Sequence, residues 1–302
     1  MAVKRDISGI LLLDKRIGIS SNRALQEIKR LFCAKKAGHT GSLDPLATGM
    51  LPICFGSATK FSEYLLTADK VYLVSAKLGV KTTTGDAEGE IVAEKAIPEL
   101  SLDQIDQYCE SFRGEIEQIP SMYSALKYQG RPLYEYARKG ITIDRPARKI
   151  RIYDLSLLTL NEDELVLKVS CSKGTYIRTL VEDLGDVIGC GAHVSALRRL
   201  SVGKFATDKM VDLQQLQTIA EKGLVGLDQC VLKKEVAVGH LPIIRVDNRE
   251  FFFLQNGKAI LFKGDAQPGN VRVVNAEDKL IAVAAVLEDG KLQAKRILSQ
   301  VY

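Results

Sequence analysis

A short glycine-rich stretch contains the carboxylate best suited to nucleophilic chemistry. Residues 38–45 read GHTGSLDP, so Asp44 directly precedes a proline, which biases its backbone toward an extended conformation. Gly38, Gly41 and Gly49 permit close approach of a ligand and unusual dihedral angles. An aspartate held in this way could act as a nucleophile, provided that it stays ionised. The alternative is a turn-forming aspartate that caps the next element.

A second loop supplies a cation that could serve such a carboxylate. Residues 172–178 read SKGTYIR and offer the phenol of Tyr176 and the guanidinium of Arg178. An arginine beside Asp44 would lower the pKa of the carboxyl group and orient it through paired hydrogen bonds. Taken alone, Arg178 is more simply a residue of the surface or of a helix N-terminus.

A basic segment stands out from an otherwise nearly balanced chain. The whole chain carries a net charge of +5, whereas residues 127–151 alone carry +6, because only Glu135 and Asp144 oppose eight basic residues. The basic residues are Lys127, Arg131, Arg138, Lys139, Arg145, Arg148, Lys149 and Arg151. Three tyrosines lie among them, and cations interleaved with aromatic rings suit a nucleic-acid backbone with exposed bases. The alternative is a solvated surface loop that leads into a strand.

Metal and cofactor motifs are missing from the sequence. The histidines His39, His193 and His240 are far apart, and no cysteine or histidine group has zinc-ligand spacing. Neither a P-loop nor a GxGxxG match exists, and no GxSxG elbow suggests a serine hydrolase. We therefore expect neither a metal nor a cofactor.

Length and composition favour a cytoplasmic protein of two domains. The chain has 302 residues, against about 100–200 for one domain. Its composition, 46% hydrophobic and 26% charged, is that of a globular protein. No apolar stretch reaches the length of a membrane span, the N-terminus lacks the pattern of a signal peptide, and the six cysteines form no CxxC pair. We also expect a monomer, because no long apolar helix face requires a partner.

Hydrophobic periodicity predicts an α+β protein. Strands are expected at residues 9–13 and 70–78 and as a hairpin of 150–160 with 165–170, and helices at 23–32, 58–66, 102–112, 178–188 and 193–200. After residue 240, short β-rich runs at 243–246, 271–274 and 280–286 predict a small all-β module.

Several long motifs in one order resemble a known family. The sequence contains GHTGSLDPLATGMLPICFGSATKF, KVYLVSAKLGVKTTTGDAEG, QIPSMYSALKYQGRPLYEYARKG and CSKGTYIRTLVEDLG, with LLLDK before them and GCGAHVSALRRL after them. Residues 8–210 thereby resemble the bacterial TruB-type tRNA pseudouridine-55 synthases. The resemblance implies an α+β catalytic domain at 1–235, with a mixed or antiparallel sheet flanked by helices. It also implies a basic thumb insertion at about 124–151 and a PUA-like domain at 236–302.

The same resemblance implies roles for individual residues. Asp44 matches the aspartate that pseudouridine synthases use as nucleophile, and Arg178 matches the arginine paired with it. Tyr72 matches the tyrosine that stacks on the uracil and is proposed to accept a proton. Tyr176 matches a second aromatic wall, and Leu197 matches an apolar residue of the uracil pocket.

The implied reaction converts uridine to pseudouridine at position 55 in the T loop of tRNA, without a cofactor. His39 matches the histidine that occupies the space left by the extruded base. The basic segment at 127–151 matches the thumb that closes over the T arm.

Two positions depart from the family pattern, and three alternatives stay open. Arg16 replaces a turn proline, with an expected loss of about 1 kcal/mol or less, and Thr83 replaces an aspartate, while Asp86 remains. The alternatives are a non-catalytic RNA-binding protein, a glycoside hydrolase that pairs Asp44 with Asp86, and a synthase of this family that acts on another RNA.

Overall fold

The computed structural model describes residues 3–262, 264 and 267–298. Within these ranges the α-helices are α1 (Ser21–Leu31), α2 (Ser62–Leu66), α3 (Leu102–Glu110), α4 (Leu133–Ala137), α5 (Ile177–Ile188), α6 (Leu213–Glu221), α7 (Leu224–Gln229) and α8 (Asn248–Gln255). The strands are β1 (Gly9–Lys15), β2 (Ala37–His39), β3 (Thr48–Phe55), β4 (Lys70–Leu78), β5 (Val80–Thr82), β6 (Ile91–Glu94), β7 (Gly114–Gln118), β8 (Lys127–Tyr128), β9 (Arg131–Pro132), β10 (Arg148–Asn161), β11 (Glu164–Cys171), β12 (Ala192–Val202), β13 (Val211–Asp212), β14 (Ile243–Arg245), β15 (Ile260–Leu261), β16 (Gly269–Val274), β17 (Leu280–Val286) and β18 (Lys291–Ile297). Short 3₁₀ helices span Gly56–Phe61, Thr207–Lys209 and Lys234–Val238. No helix within the described ranges is both long enough and apolar enough to cross a membrane.

A mixed sheet forms the centre of the larger part of the molecule. Nine of the described strands belong to it, in the order β13-β1-β3-β12-β4-β11-β10-β7, with β2 paired to β3. The pairs β1–β13 and β3–β12 are parallel, and the other pairs are antiparallel. Side chains of α1, α3, α5 and α6 pack on this sheet in one large apolar cluster. The predicted α+β class and flanked mixed sheet are therefore confirmed.

The first strand is buried on both of its faces. Leu11 and Leu13 belong to the large cluster, whereas Ile10 and Leu12 point into a second cluster on the opposite face. A strand buried on two sides requires a continuous apolar run rather than alternation, which explains the sequence GILLL.

One predicted helix is wrong. Residues 193–200 lie in β12, a central strand between β3 and β4. The buried positions Val194 and Leu197 are three apart, which imitates a helical period. Register shifts at Val194/Ala196 and at Arg199/Ser201 mark irregularities in this strand, so its buried side chains do not follow a simple alternation.

Most other elements were predicted with nearly their observed bounds. The strand at 70–78, the hairpin of β10 and β11 and the helix at 178–188 are confirmed. The segment at 58–66 is helical but divides into a 3₁₀ turn and α2.

The C-terminal part is built on a sheet of its own. In the described residues this sheet has five strands in the order β14-β16-β17-β18-β15, and it includes all three predicted β-rich runs. The module is not purely β, because α8 follows a capping box formed by Asp247 and Glu250. Leu280 and Val283 of β17 join the second apolar cluster, which includes Ile10 and Leu12 of β1. The domain division at residues 235/236 stays a prediction.

Candidate active site

Asp44 and Arg178 meet at the mouth of a cleft. The Nε atom of Arg178 lies 3.0 Å from Oδ2 of Asp44. The Asp44 side chain is 42% exposed, whereas that of Arg178 is 7% exposed. The Asp44 carboxylate is therefore accessible to solvent or substrate, whereas the Arg178 guanidinium contacts it from the protein interior.

A second carboxylate fixes the other side of the guanidinium. Nη1 of Arg178 lies 3.2 Å from Oδ2 of Asp86, whose side chain is 3% exposed. Asp86 also accepts hydrogen bonds from the hydroxyl of Thr84 (2.6 Å) and the backbone N–H of Glu88 (3.1 Å). Arg178 donates in addition to the carbonyls of Thr84 and Tyr123, each at 2.8 Å. These contacts fix the plane in which Asp44 is oriented.

The burial of Asp86 bears on the glycosidase alternative. In a glycosidase both carboxyl groups must reach the substrate. Asp86 is held by Arg178 and Thr84 and is almost fully enclosed, so the geometry disfavours a hydrolase that uses Asp44 and Asp86 together.

The loop that carries Asp44 is fastened to the preceding strand and helix. The hydroxyl of Ser21, at the start of α1, accepts from the N–H of Leu43 (2.7 Å) and donates to its carbonyl (3.0 Å). The N–H of Gly18 donates to the carbonyl of Pro45 at 2.8 Å. Lys15, which is 1% exposed, donates from Nζ to the carbonyl of Ile19 at 2.8 Å and reaches that of Pro45 at 3.4 Å. Asp44 is thus held by backbone contacts on both sides.

The predicted uracil-pocket residues converge on one cavity. It measures about 270 Å³, and Asp44, Tyr72, Tyr176, Arg178 and Leu197 all line it. Tyr72 and Leu197 come from the adjacent strands β4 and β12 and are each 8% exposed. Tyr176 directly precedes α5.

His39 lies on the other side of Asp44. It lines a second cavity of about 680 Å³ together with Asp44, Tyr134 and Arg138, and it does not line the first. Its Nδ1 atom is buried and has no hydrogen-bond partner among the described residues. Burial, together with the charge of Arg199, lowers the pKa of the His39 ring and so favours its neutral form.

The middle of the basic segment at 127–151 lies beside the second cavity. Tyr134, at the second cavity, carries the guanidinium of Arg138 over its ring at 5.4 Å. Seven of the eight basic side chains are exposed, and Arg145 is half-buried. The basic side chains at the start of β10 are Arg148, Lys149 and Arg151. Lys149 pairs with Glu115 at 3.1 Å.

Partial burial is the largest influence on the pKa of the candidate nucleophile. It raises the pKa of the Asp44 carboxyl group, with a further upward effect from the charge of Asp86. The positive charges of Arg178 and Lys15 act in the opposite direction. Burial also lowers the pKa of Lys15 to about 8. The cations therefore offset part of the effect of burial, which favours the neutral form of the carboxyl group.

Two site residues escaped sequence reasoning. Gln118, which is 3% exposed, holds the backbone of Tyr176 through reciprocal bonds: its Oε1 accepts from the N–H (2.8 Å) and its Nε2 donates to the carbonyl (3.0 Å). Arg199 is 1% exposed and lines the same cavity as Asp44. A glutamine in a short strand carries no sequence signal, and neither does one of two adjacent arginines in a segment of mixed composition, HVSALRRLSV.

The two departures from the family pattern lie outside the carboxylate network. Arg16 pairs with Glu27 at 2.9 Å beside the turn that Gly18 closes. Thr83 is exposed, and its hydroxyl accepts from the N–H of Glu90 at 3.1 Å. The acid that faces Arg178 from this loop is Asp86. In residues 3–262, 264 and 267–298 no three histidine, cysteine or acidic side chains are grouped as metal ligands would be.

Sequence comparisons assign the chain to a family. Family profiles match in succession: TruB family pseudouridylate synthase (N-terminal domain) at residues 29–177, tRNA pseudouridylate synthase B C-terminal domain at 178–238, and pseudouridine synthase II TruB, C-terminal, at 242–298. The tRNA pseudouridine synthase B of Coxiella burnetii (strain Dugway 5J108-111) is 48% identical over 298 residues, which cover 98% of this chain and 96% of the relative. That of Vibrio atlanticus (strain LGP32) is 49% identical over 302 residues, or 97% and 95% of the two chains.

The fold has a solved counterpart as well. A chain in the crystal structure of a Cbf5-Nop10-Gar1 complex superposes with a TM-score of 0.75 at 25% identity, covering 96% of this chain and 85% of that one. The chain belongs to the TruB family of pseudouridylate synthases.

Proposed function

We propose that this protein isomerises uridine to pseudouridine at position 55 in the T loop of tRNA. The observation that carries the proposal is the Asp44–Arg178 pair, 3.0 Å apart, at a cavity lined by Tyr72, Tyr176 and Leu197. Its relatives in Coxiella and Vibrio are named as tRNA pseudouridine synthases, which supports tRNA as the substrate.

The base must leave its stack to reach Asp44. A uridine in a folded loop is reached by flipping, at a cost of a few kcal/mol. Stacking against Tyr72 and Tyr176 offsets part of this cost, since base–aromatic stacking contributes about 1–3 kcal/mol per base. His39, on the opposite side of Asp44, fills the vacated position in the RNA.

The reaction exchanges one glycosidic bond for another. The N1–C1′ bond breaks, the detached uracil turns within the cavity, and the C5–C1′ bond forms. The C5 proton then passes to a base, for which Tyr72 is the candidate, and N1 of the product takes up a proton. Asp44 assists the first step in one of two ways: it attacks C1′, forming a bond that breaks again when C5 bonds to C1′, or it stabilises a cationic sugar that loses its C2′ proton to give a glycal and regains that proton when C5 bonds to C1′. Both routes require an ionised carboxylate, which Arg178 and Lys15 favour.

The basic segment supplies affinity for the RNA. Its exposed cations match a phosphate backbone, and Arg138 and Tyr134 at the second cavity link that surface to Asp44. We place the reaction in the cytoplasm and assign it to a monomer bound to the T stem-loop of tRNA.

Tritium release tests the proposal directly. Transcripts labelled at C5 of uridine release one equivalent of tritium per pseudouridine formed. We expect one equivalent from wild-type protein, none from Asp44→Asn, and none from tRNA with cytidine at position 55. Asp44→Asn should still bind tRNA within a few-fold of wild type.

Two other results would overturn the proposal. Tight tRNA binding by the wild-type protein without release would favour a non-catalytic RNA-binding protein. Release that persists in the tRNA with cytidine at position 55 would assign the enzyme to another uridine.

A further inference from the structure

Arg199 occupies an unusual place for a charged side chain. It is 1% exposed and lies in β12, a central strand of the sheet. Its Nε donates to the carbonyl of Met50 in β3 at 2.7 Å, and its Nη2 donates to the carbonyl of Gly41 at 3.1 Å. Gly41 precedes Asp44 in the same loop by three residues, so this one guanidinium connects the sheet to the loop of the candidate nucleophile.

The backbone at Gly49 accommodates this arrangement. Gly49 is the β3 partner of Arg199 and has a φ of +94°. A Cβ atom there would lie 2.3 Å from the carbonyl oxygen of Arg199 and 2.9 Å from its nitrogen. The two backbones therefore come together more closely than any side chain at position 49 would permit.

Arg199 also faces Tyr72. The two residues are direct partners in the β12–β4 ladder, so their side chains stand on the same face of the sheet, and both line the cavity of Asp44. Burial raises the pKa of the Tyr72 phenol, with smaller upward effects from Cys171 of β11 and from Asp44. The positive charge of Arg199 acts in the opposite direction and is the largest influence that lowers this pKa.

We propose that Arg199 is a positioning residue that prepares Tyr72 to accept the proton from C5 while it holds the Asp44 loop in register. A buried phenolate is costly unless a cation lies beside it, and Arg199 is that cation. The use made of Tyr72 rests on the function proposed above. The effect of Arg199 on the phenol does not, because it can be measured without RNA.

The test separates charge from shape. Position 72 is filled with 3,5-difluorotyrosine, whose phenol ionises nearer neutral pH, and its ionisation is followed by ¹⁹F NMR in the full-length protein. Arg199→Gln removes the charge and keeps an amide donor, whereas Arg199→Lys keeps the charge without the planar fork. Arg198→Gln is the matched control, since Arg198 is adjacent in β12 but pairs with Asp14 at 2.6 Å.

We expect Arg199→Gln to raise the pKa of the fluorinated phenol by at least one unit, a tenfold change in its ionisation constant. Arg199→Lys and Arg198→Gln should leave that pKa near its starting value. With natural Tyr72, Arg199→Gln should slow single-turnover tritium release about tenfold, and Arg199→Lys should recover much of the rate.

Each contrary outcome overturns the inference. An unchanged phenol pKa in Arg199→Gln would make Arg199 a purely structural residue. So would equal rate reductions in the glutamine and lysine variants, or a failure of both to fold. A wild-type protein that releases no tritium would refute the proposed function, while the NMR titration would still decide the influence of Arg199 on Tyr72.

Discussion

Asp86→Asn should destabilise the protein far more than Asp44→Asn, although both carboxylates face the same arginine. The substitution preserves size and an acceptor for Thr84 and Glu88, but it removes the counter-charge of Arg178 that is shielded from water. Breaking a buried ion pair from one side costs about 3–5 kcal/mol. The Asp44 side chain is 42% exposed, so removal of its charge costs about 1 kcal/mol or less.

Urea and thermal unfolding at pH 7 measure this difference. For Asp86→Asn we expect a free energy of unfolding lower by about 3–5 kcal/mol and a melting temperature lower by roughly 10 °C. Asp186→Asn is the matched control, because Asp186 pairs with Lys81 at 2.8 Å but is 54% exposed. It should behave like Asp44→Asn. If all three variants unfold alike, Asp86 is not a buried counter-charge, and the account of the network is refuted.

Three further predictions follow from the same geometry. Burial and Asp86 raise the pKa of Asp44, so its ionised form is lost as the pH falls through a value above the ordinary 3.8. The single-turnover rate should therefore fall in that pH range, and Asp86→Asn should shift the fall in rate to lower pH. Gly49→Ala should lower the free energy of unfolding in urea by about 2–4 kcal/mol, whereas Gly38→Ala, whose Cβ meets nothing within 4 Å, should cost far less. Replacing the three basic side chains at the start of β10 by alanine should flatten the salt dependence of tRNA binding by about one slope unit for each phosphate that the variant no longer neutralises, and an unchanged slope would contradict their role.

The fold could be predicted wherever one local pattern determined the element. Strand β4 shows strict alternation, with every second residue from Lys70 to Leu78 buried, and its observed bounds match the prediction. Strand β12 could not be predicted in this way. Its two register shifts depend on the neighbouring strands β3 and β4, which local periodicity does not describe.

Some residues of the site could likewise be predicted from the sequence, and others could not. Asp44 lies in a loop and Arg178 in the first turn of α5, both in segments whose composition suggested chemistry, and the resemblance predicted the pair that the 3.0 Å contact shows. Arg199 and Gln118 were missed because their partners are main-chain groups, at Gly41 and Met50 and at Tyr176. Every residue has a backbone carbonyl, so the sequence does not indicate which carbonyl a buried side chain binds.

The second apolar cluster includes residues of β1 and of β17, so it is completed only late in biosynthesis. Ile10 and Leu12 belong to the same cluster as Leu280 and Val283, which the ribosome adds about 270 residues later. At roughly 5–20 residues per second, the cluster is completed about 15–50 s after β1 is synthesised. Premature termination before β17 yields a chain that holds every residue of the Asp44 cavity but lacks Leu280 and Val283, so the apolar side chains left in the cluster lose part of their cover. Chaperones and proteases act on exposed apolar surface, so an incomplete chain can be removed although its cavity residues are all present.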